Sequence, residues 1–272
     1  MTQANADKLV SFIMGVYNTK DRTALKRSVA SMLDQTYPHI QVVLCDDVST
    51  NGIYEFLQQE YGCNPKVKLL RLPQHGGLRT ALNAAIDAAD GAFIARQDDD
   101  DYSDLTRIEK EMAVLEAHPE YSFVSSALYK FDRQGIWQTL RLKEQPSKKD
   151  FAKHCQHVHP AALFRRSCLD RVGGYRIAPE TIRCEDYDLF MRIYAAGMRG
   201  YNLQEPLYYY NKDRDERQRP PYRYKWNEAV VRAKGYKRLK LAPWSYRYVF
   251  RPLLAGLLSP QTVQKIKSRK RV

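Results

Sequence analysis

The sequence has no paired cysteine motif, no leader-like start and no long apolar run, and each absence removes a class of protein. Five cysteines (Cys45, Cys63, Cys155, Cys168, Cys184) lie scattered through 272 residues without a C-x-x-C pair, so no disulfide framework is expected and a reducing compartment fits. The opening MTQANADKLV lacks the basic stretch and apolar core of a secretion signal. No apolar run approaches the ~20 residues needed to cross a bilayer. A cytoplasmic protein is the expectation. Residues 1–210 contain no internal repeat and no Pro/Gly-rich linker. Gly76 and Gly77 come without the further glycines and lysine of a phosphate loop, and predict only a close approach of that loop to the helix after it.

The net charge of +13 would point to an anionic partner if it were evenly spread. It is not. Residues 211–272 carry 18 Lys and Arg against 4 Asp and Glu, whereas residues 1–210 carry 26 against 27. Basicity therefore belongs to a tail, and two regions are expected: a domain over 1–210 and a basic, aromatic-rich, helical extension over 211–272.

Within the first region, short apolar runs alternate with segments of helical period. LVSFIMGVY, IQVVLC, VKLLRL and AFIA read as strands. Between them ALKRSVASMLDQT sets Leu25, Val29, Met32 and Leu33 on one helical face, and GLRTALNAAIDAA does the same with Leu78, Leu82, Ala85, Ile86 and Ala89. Later, LTRIEKEMAVLEAHPE predicts a helix with Leu105, Ile108, Met112 and Leu115 inward. Strand–helix alternation with strands apolar on both faces predicts an α/β fold, a doubly wound, mostly parallel sheet flanked by helices. Ligands of such sheets sit at the carboxyl ends of the strands. Polar residues collect there: Tyr17 and Asn18, then Asp46 and Asp47, then the run Asp98 to Asp101.

Four consecutive aspartates after a buried strand repel one another unless a positive charge sits among them. A helix start can absorb one or two acids. The remainder favours a hard divalent cation, Mn²⁺ or Mg²⁺, held by carboxylates together with substrate phosphates. By contrast His154, Cys155, His157 and His159 match no closed zinc set.

The blocks VSFIMGVYN, QTYPHIQVVLCDDVST, GGLRTALNAAIDAADGAFIARQDDDD, HPAALFRRS, VGGY and EDYDLFMRIYAAG, in this order between Leu9 and Tyr210, resemble those of the family-2 glycosyltransferases of bacterial surface-glycan type. The resemblance implies a GT-A fold and inverting transfer of a sugar from a nucleotide diphosphate donor, a UDP-sugar first of all. It implies that Asp47 meets the base or ribose with Tyr17 lining the same pocket. Within the D-x-D pattern, Asp100 would ligate the metal directly. Asp98 and Asp99 would serve the ribose, the metal or its water, and these assignments stay exchangeable. His159 corresponds to a histidine near the donor diphosphate. Asp186, in CEDYD, is the implied general base, with Glu185 beside it positioning the acceptor. Two departures stand out: Gly15 where the family often has Pro, and Val48 where it usually has Gly.

The tail interleaves Trp, Tyr and Leu with Lys and Arg, a pattern suited to an anionic membrane surface; its apolar segment is one that nucleic-acid binding does not need. An enzyme peripheral to the inner face of the membrane, acting on a glycan or lipid-linked glycan acceptor, follows as the expectation. Two alternatives remain at this level: a nucleotidyltransferase acting on sugar phosphates, and an inactive membrane-tethered binding module.

Overall fold

Apolar residues on both faces of Val10–Val16 force that segment to be buried on both sides, and in the computed structural model it is the strand β1, almost wholly without solvent contact. The structure describes residues 8–215 and 221–257. Next come α1 (Arg22–Leu33), β2 (Ile40–Asp46), α2 (Ile53–Tyr61), β3 (Val67–Arg71), α3 (Leu78–Ala88) and β4 (Phe93–Arg96). These three helices and four strands are the alternation expected. The α1 start is fixed by Asp21, whose side chain accepts from the Thr23 and Ala24 amides at 3.0 Å each. Its inward Leu25, Val29 and Met32 are fully buried against β1 and β2 residues, each contributing roughly 1.5–3 kcal/mol of burial.

The chain then runs through β5 (Tyr102–Ser103), α4 (Arg107–Ala117), β6 (Phe123–Asp132), β7 (Gly135–Leu140), β8 (Ala162–Arg165), α5 (Arg166–Val172), α6 (Glu185–Ala195), β9 (Gly200–Asn211), α7 (Tyr222–Leu239) and α8 (Arg251–Leu257). Ile108, Met112 and Leu115 of α4 face inward as expected, but Leu105 is exposed. It precedes the helix, so the helical period does not reach it.

The nine strands of the described residues form one sheet in the order β3-β2-β1-β4-β8-β6-β9-β5, with β7 paired to β6. Strands β1 to β4 are parallel, as is the β6–β9 pair. The β4–β8, β6–β8, β6–β7 and β5–β9 pairs are antiparallel, so the sheet is mixed. The parallel run β1 to β4 coincides with the regular strand–helix alternation, because a parallel neighbour needs a long crossover, usually a helix, and an antiparallel one does not.

By packing, the chain divides into two compact units. The first comprises Met1–Pro146, Gln156–Tyr175 and Met198–Arg214 and contains the whole sheet; the second comprises Ser147–Cys155, Arg176–Gly197 and Asp215–Val272. The second unit gathers a short 3₁₀ helix (Lys148–Ala152), α6, α7 and α8 around the buried Arg232 and Tyr236. Arg232 pairs with Glu228 at 2.9 Å and donates to the Ala152 carbonyl at 3.1 Å, and the Tyr236 hydroxyl donates to the same carbonyl at 2.7 Å. The basic end KIKSRKRV lies outside the described residues. Among the described residues no helix is long and apolar enough to cross a membrane.

Candidate active site

The strand order reverses between β1 and β4, the switch point at which α/β sheets hold ligands. The two strand ends are tied there: the Thr19 hydroxyl, just past β1, donates to an Asp99 carboxylate oxygen, just past β4. Neighbouring loops are clasped as well, the Asn18 amide donating to Ser49 Oγ and the Thr50 amide to Asn18 Oδ1, each at 2.9 Å.

At the end of β2 two adjacent aspartates do different work. Asp46 is fully buried and accepts from the Ser49 amide and from Arg71 Nε at 3.2 Å, which fixes the loop. Asp47, also buried, accepts from the Gly76 and Gly77 amides at 2.7 and 2.8 Å and lies 3.0 Å from His75 Nδ1. The glycine pair thus presents its amides to a carboxylate at the start of α3, and Gly76 is needed because a Cβ there would lie 2.7 Å from the Thr80 side chain. His75 packs its ring on Tyr17 with centroids 4.4 Å apart, and Tyr17 is 50% exposed. Tyr17 and Asp47 are therefore brought together, with His75 between them, around an open aromatic surface.

The acidic run begins beside a buried cation. Arg96, the last residue of β4, is 3% exposed and pairs with the Asp98 carboxylate. Burial works against its charge, but Asp98 outweighs that and raises its pKa. Its Nε and Nη1 are buried without hydrogen-bond partners. One guanidinium does not balance four acids. Asp99 is pushed up by burial and by Asp98, Asp100 is pushed up to about 6 by burial and by Asp98 and Asp99, and Asp101 rises well above its ordinary value for the same reasons. Asp101 Oδ1 accepts from the Asn211 amide at 2.6 Å, whereas its buried Oδ2 makes no well-formed hydrogen bond, the Tyr208 hydroxyl beside the carboxyl opposing only part of the rise.

The donor set fits a divalent cation held in an open manner. Among the described residues no group of three or more His, Cys, Asp or Glu is placed to hold a metal ion by itself. What exists is a set of under-compensated carboxylates with one oxygen lacking a well-formed hydrogen bond, the arrangement expected where one or two carboxylates share an ion with phosphate oxygens. His159 reaches the same region through β8, which pairs with β4. It is buried, its Nε2 lies 2.7 Å from the Tyr175 hydroxyl, and burial together with the Arg96 charge lowers its pKa well below the ordinary value.

Glu185 and Asp186 belong to the second unit, where they are the first two residues of α6, each half-buried. One turn on, Asp188 is buried and gathers Arg176 at 2.9 Å, Arg192 at 2.7 Å and Arg238 at 3.3 Å.

The family model described as "Glycosyl transferase family 2" matches residues 11–173, more than half of the chain. The chain belongs to that family. It is similar to the Bacillus subtilis protein EpsE, named as a glycosyltransferase, with 36% identity over 98% of this chain and 96% of the relative. It is 28% identical, over 75% of this chain and 77% of the relative, to the Escherichia coli UDP-Glc:alpha-D-GlcNAc-diphosphoundecaprenol beta-1,3-glucosyltransferase WfaP. Among solved structures, S. aureus TarS 1-349 in complex with UDP-GlcNAc matches with a TM-score of 0.67 at 18% identity, covering 90% of this chain and 70% of that one. That likeness gives the fold, the GT-A architecture expected. Membership makes the protein a glycosyltransferase and retires the nucleotidyltransferase and binding-module alternatives.

Several residues of this family-2 site escape a sequence reading. Arg96 was visible as a charge ending a buried strand directly before the acids. His75 sits in a loop with no motif of its own. Tyr175 lies sixteen residues past its partner His159, while Tyr208 (whose hydroxyl accepts from the Asp98 amide at 3.1 Å) and Asn211 each arrive from 110 residues away, and no local pattern announces them.

Proposed function

We propose that this glycosyltransferase moves a sugar, with inversion, from a nucleotide diphosphate donor, a UDP-sugar, to a hydroxyl of a lipid-linked glycan in the synthesis of a bacterial surface polysaccharide. The observation that carries the reading is the acidic run at the switch point, four carboxylates against one buried guanidinium with one oxygen lacking a well-formed hydrogen bond. Asp100 and Asp98 would hold Mn²⁺ or Mg²⁺. When bound, such an ion neutralises charge developing on the departing diphosphate. Tyr17 offers its exposed ring to the base, and Asp47 supports that pocket through the loop it organises. Asp99, tied to Thr19, faces the ribose, and the buried His159 borders the diphosphate.

In the reaction the acceptor oxygen attacks the anomeric carbon as the bond from that carbon to the diphosphate oxygen breaks, and Asp186 takes the hydroxyl proton. Glu185 orients the acceptor. WfaP, whose name gives a UDP-sugar donor and a diphosphoundecaprenol-linked acceptor, supports both substrate classes. A lipid-linked acceptor also suits the division of labour proposed here, a catalytic domain over 1–210 and a basic extension over 211–272 that keeps the enzyme peripheral on the inner face of the membrane.

The test is a donor panel with Mn²⁺, followed by a panel of lipid-diphosphate sugars. Release of nucleoside diphosphate from a UDP-sugar, with label moving to the lipid fraction and chelator abolishing both, is the expected result. Equal turnover in the presence of chelator would remove the ion from the proposal, and transfer only to water-soluble acceptors would remove the lipid.

A further inference from the structure

The second unit carries a cluster of cations that the transfer chemistry does not use. Arg251 Nη1 donates to the Lys153 carbonyl at 3.4 Å, and Arg247 donates to the Tyr248 hydroxyl at 3.2 Å. That hydroxyl is drawn down first by the Arg247 hydrogen bond and then by the charges of Arg247, Lys153 and Arg251. His154 beside them is held below its ordinary value by burial and by Arg251, Arg232 and Lys153, against an opposing effect of Asp150.

Large apolar side chains flank this cluster and stand in solvent: Trp244, Phe250 and Leu254 are 56%, 59% and 62% exposed. Arg247 lies over the Trp244 ring at 5.2 Å, so cation and aromatic are presented together. Phe250 and Leu254 are four residues apart at the α8 end, and α8 packs on the start of α7, where a Cβ on Gly256 would meet the Tyr222 ring at 2.8 Å. Residues 221–257 contain nine Lys and Arg against one Glu, and of these Arg232, Lys234 and Arg238 pair with Glu228, Glu180 and Asp188. Exposed rings interleaved with the remaining cations match an anionic lipid interface, where rings enter the headgroup layer and cations meet phosphates. A nucleic acid would satisfy the cations but leaves Phe250 and Leu254 without a role.

We infer that Lys153, Arg247 and Arg251, with Trp244, Phe250 and Leu254, form a docking surface for an anionic membrane. The inference deepens the membrane setting proposed above, yet it rests on described residues alone and stands apart from the basic end of the chain.

The full chain is sedimented with phosphatidylcholine vesicles, with and without phosphatidylglycerol, at low salt. Wild type is expected to bind only the anionic vesicles. The triple variant Lys153→Glu, Arg247→Glu, Arg251→Glu, with residues 258–272 intact, should lose at least tenfold in partitioning. Trp244→Ala with Phe250→Ala should lose several-fold, with a thermal midpoint equal to wild type reporting an intact fold. Wild-type affinity in the triple variant would overturn the inference, as would equal binding to neutral vesicles or tighter binding to a single-stranded oligonucleotide. UDP-sugar turnover, measured without vesicles, is read separately. Failure of the docking surface leaves that turnover standing, and failure of the donor chemistry leaves the partitioning standing.

Discussion

Two groups of acids in this molecule contrast in how their charge is met. In the second unit, Asp188 faces three arginines, and Glu180 pairs with Arg176 at 2.8 Å and Lys234 at 2.6 Å. Although burial opposes it, Asp188 is held below its ordinary pKa by Arg176 and Arg192, and Glu180 is lowered to about 2 by Lys234 and then Arg176. In the first unit the run Asp98 to Asp101 shares one guanidinium, and Asp99, Asp100 and Asp101 are all raised. Acids over-supplied with cations are structural, because their charge is already spent on neighbours. Acids under-supplied store repulsion that an incoming cation would relieve, which supports the metal-holding role proposed for the run.

The sharpest way to break this contrast is to remove one acid from each side of the reaction. Asp100→Asn should lower kcat/KM on the order of 10³-fold and abolish Mn²⁺-dependent donor binding in calorimetry. Asp186→Asn should cost about as much in turnover while leaving donor affinity intact, the signature of a lost base. Equal donor affinity in Asp100→Asn and wild type would sink the metal assignment.

Smaller, and opposite in kind, is the effect expected at Asp188. Asp188→Ala leaves three guanidiniums facing one another, and removal of one partner of a buried pair costs roughly 3–5 kcal/mol. Arg176 and Arg238 reach solvent, so about 3 kcal/mol is expected in denaturant unfolding, with donor binding by the folded fraction unchanged. Glu180 adds a pH test. Its folded pKa lies near 2 against an ordinary 4.5, so the stability it contributes is fully present above pH 4.5 and is lost as pH falls toward 2. The stability gap between wild type and Glu180→Gln should therefore hold from pH 7 to 5 and close between 4.5 and 2. A gap that persists at pH 2 would mean Glu180 acts through packing.

The parts of this architecture that were legible from sequence are those that local pattern dictates. Fully apolar runs name β1, β2 and β4, and the helical period names the inward faces of α1 and α3, because burial of each is decided by neighbours three or four residues away. The candidate acids were legible for a related reason, since charge at the end of a buried strand is costly enough to stand out. Leu105 misled because periodicity does not say where a helix begins. The pairing of β6 with β9 depends on a chain return that no window of sequence contains, and the meeting of His159 with Tyr175, sixteen residues on, carries no periodic signal. Nor does pattern reveal how Asp47 is occupied: its two oxygens are taken by Gly76 and Gly77, a bond between loops almost thirty residues apart.

The least effect is expected at Val48, where the loop departs from the family. Val48 has φ of 60°, a left-handed conformation that a β-branched residue adopts at a cost of about 1–2 kcal/mol. Facing it, Asn18 has φ of 49°, which asparagine tolerates well. The strain is sustained by surrounding bonds: the Asp47 amide donates to the Val16 carbonyl at 2.9 Å, and the Asn18–Ser49 clasp holds the next residue. Val48→Gly removes the steric cost but gives the unfolded chain more freedom, which takes back roughly 0.5–1 kcal/mol. A net gain of at most about 1 kcal/mol, read as a slightly higher thermal midpoint, is expected. Val48→Ala keeps the Cβ while removing the branch, so it should fall between wild type and glycine. If glycine instead destabilises while alanine does not, the backbone restriction at Val48 is what pre-orders the loop beside Tyr17, and donor KM should rise in the same variant.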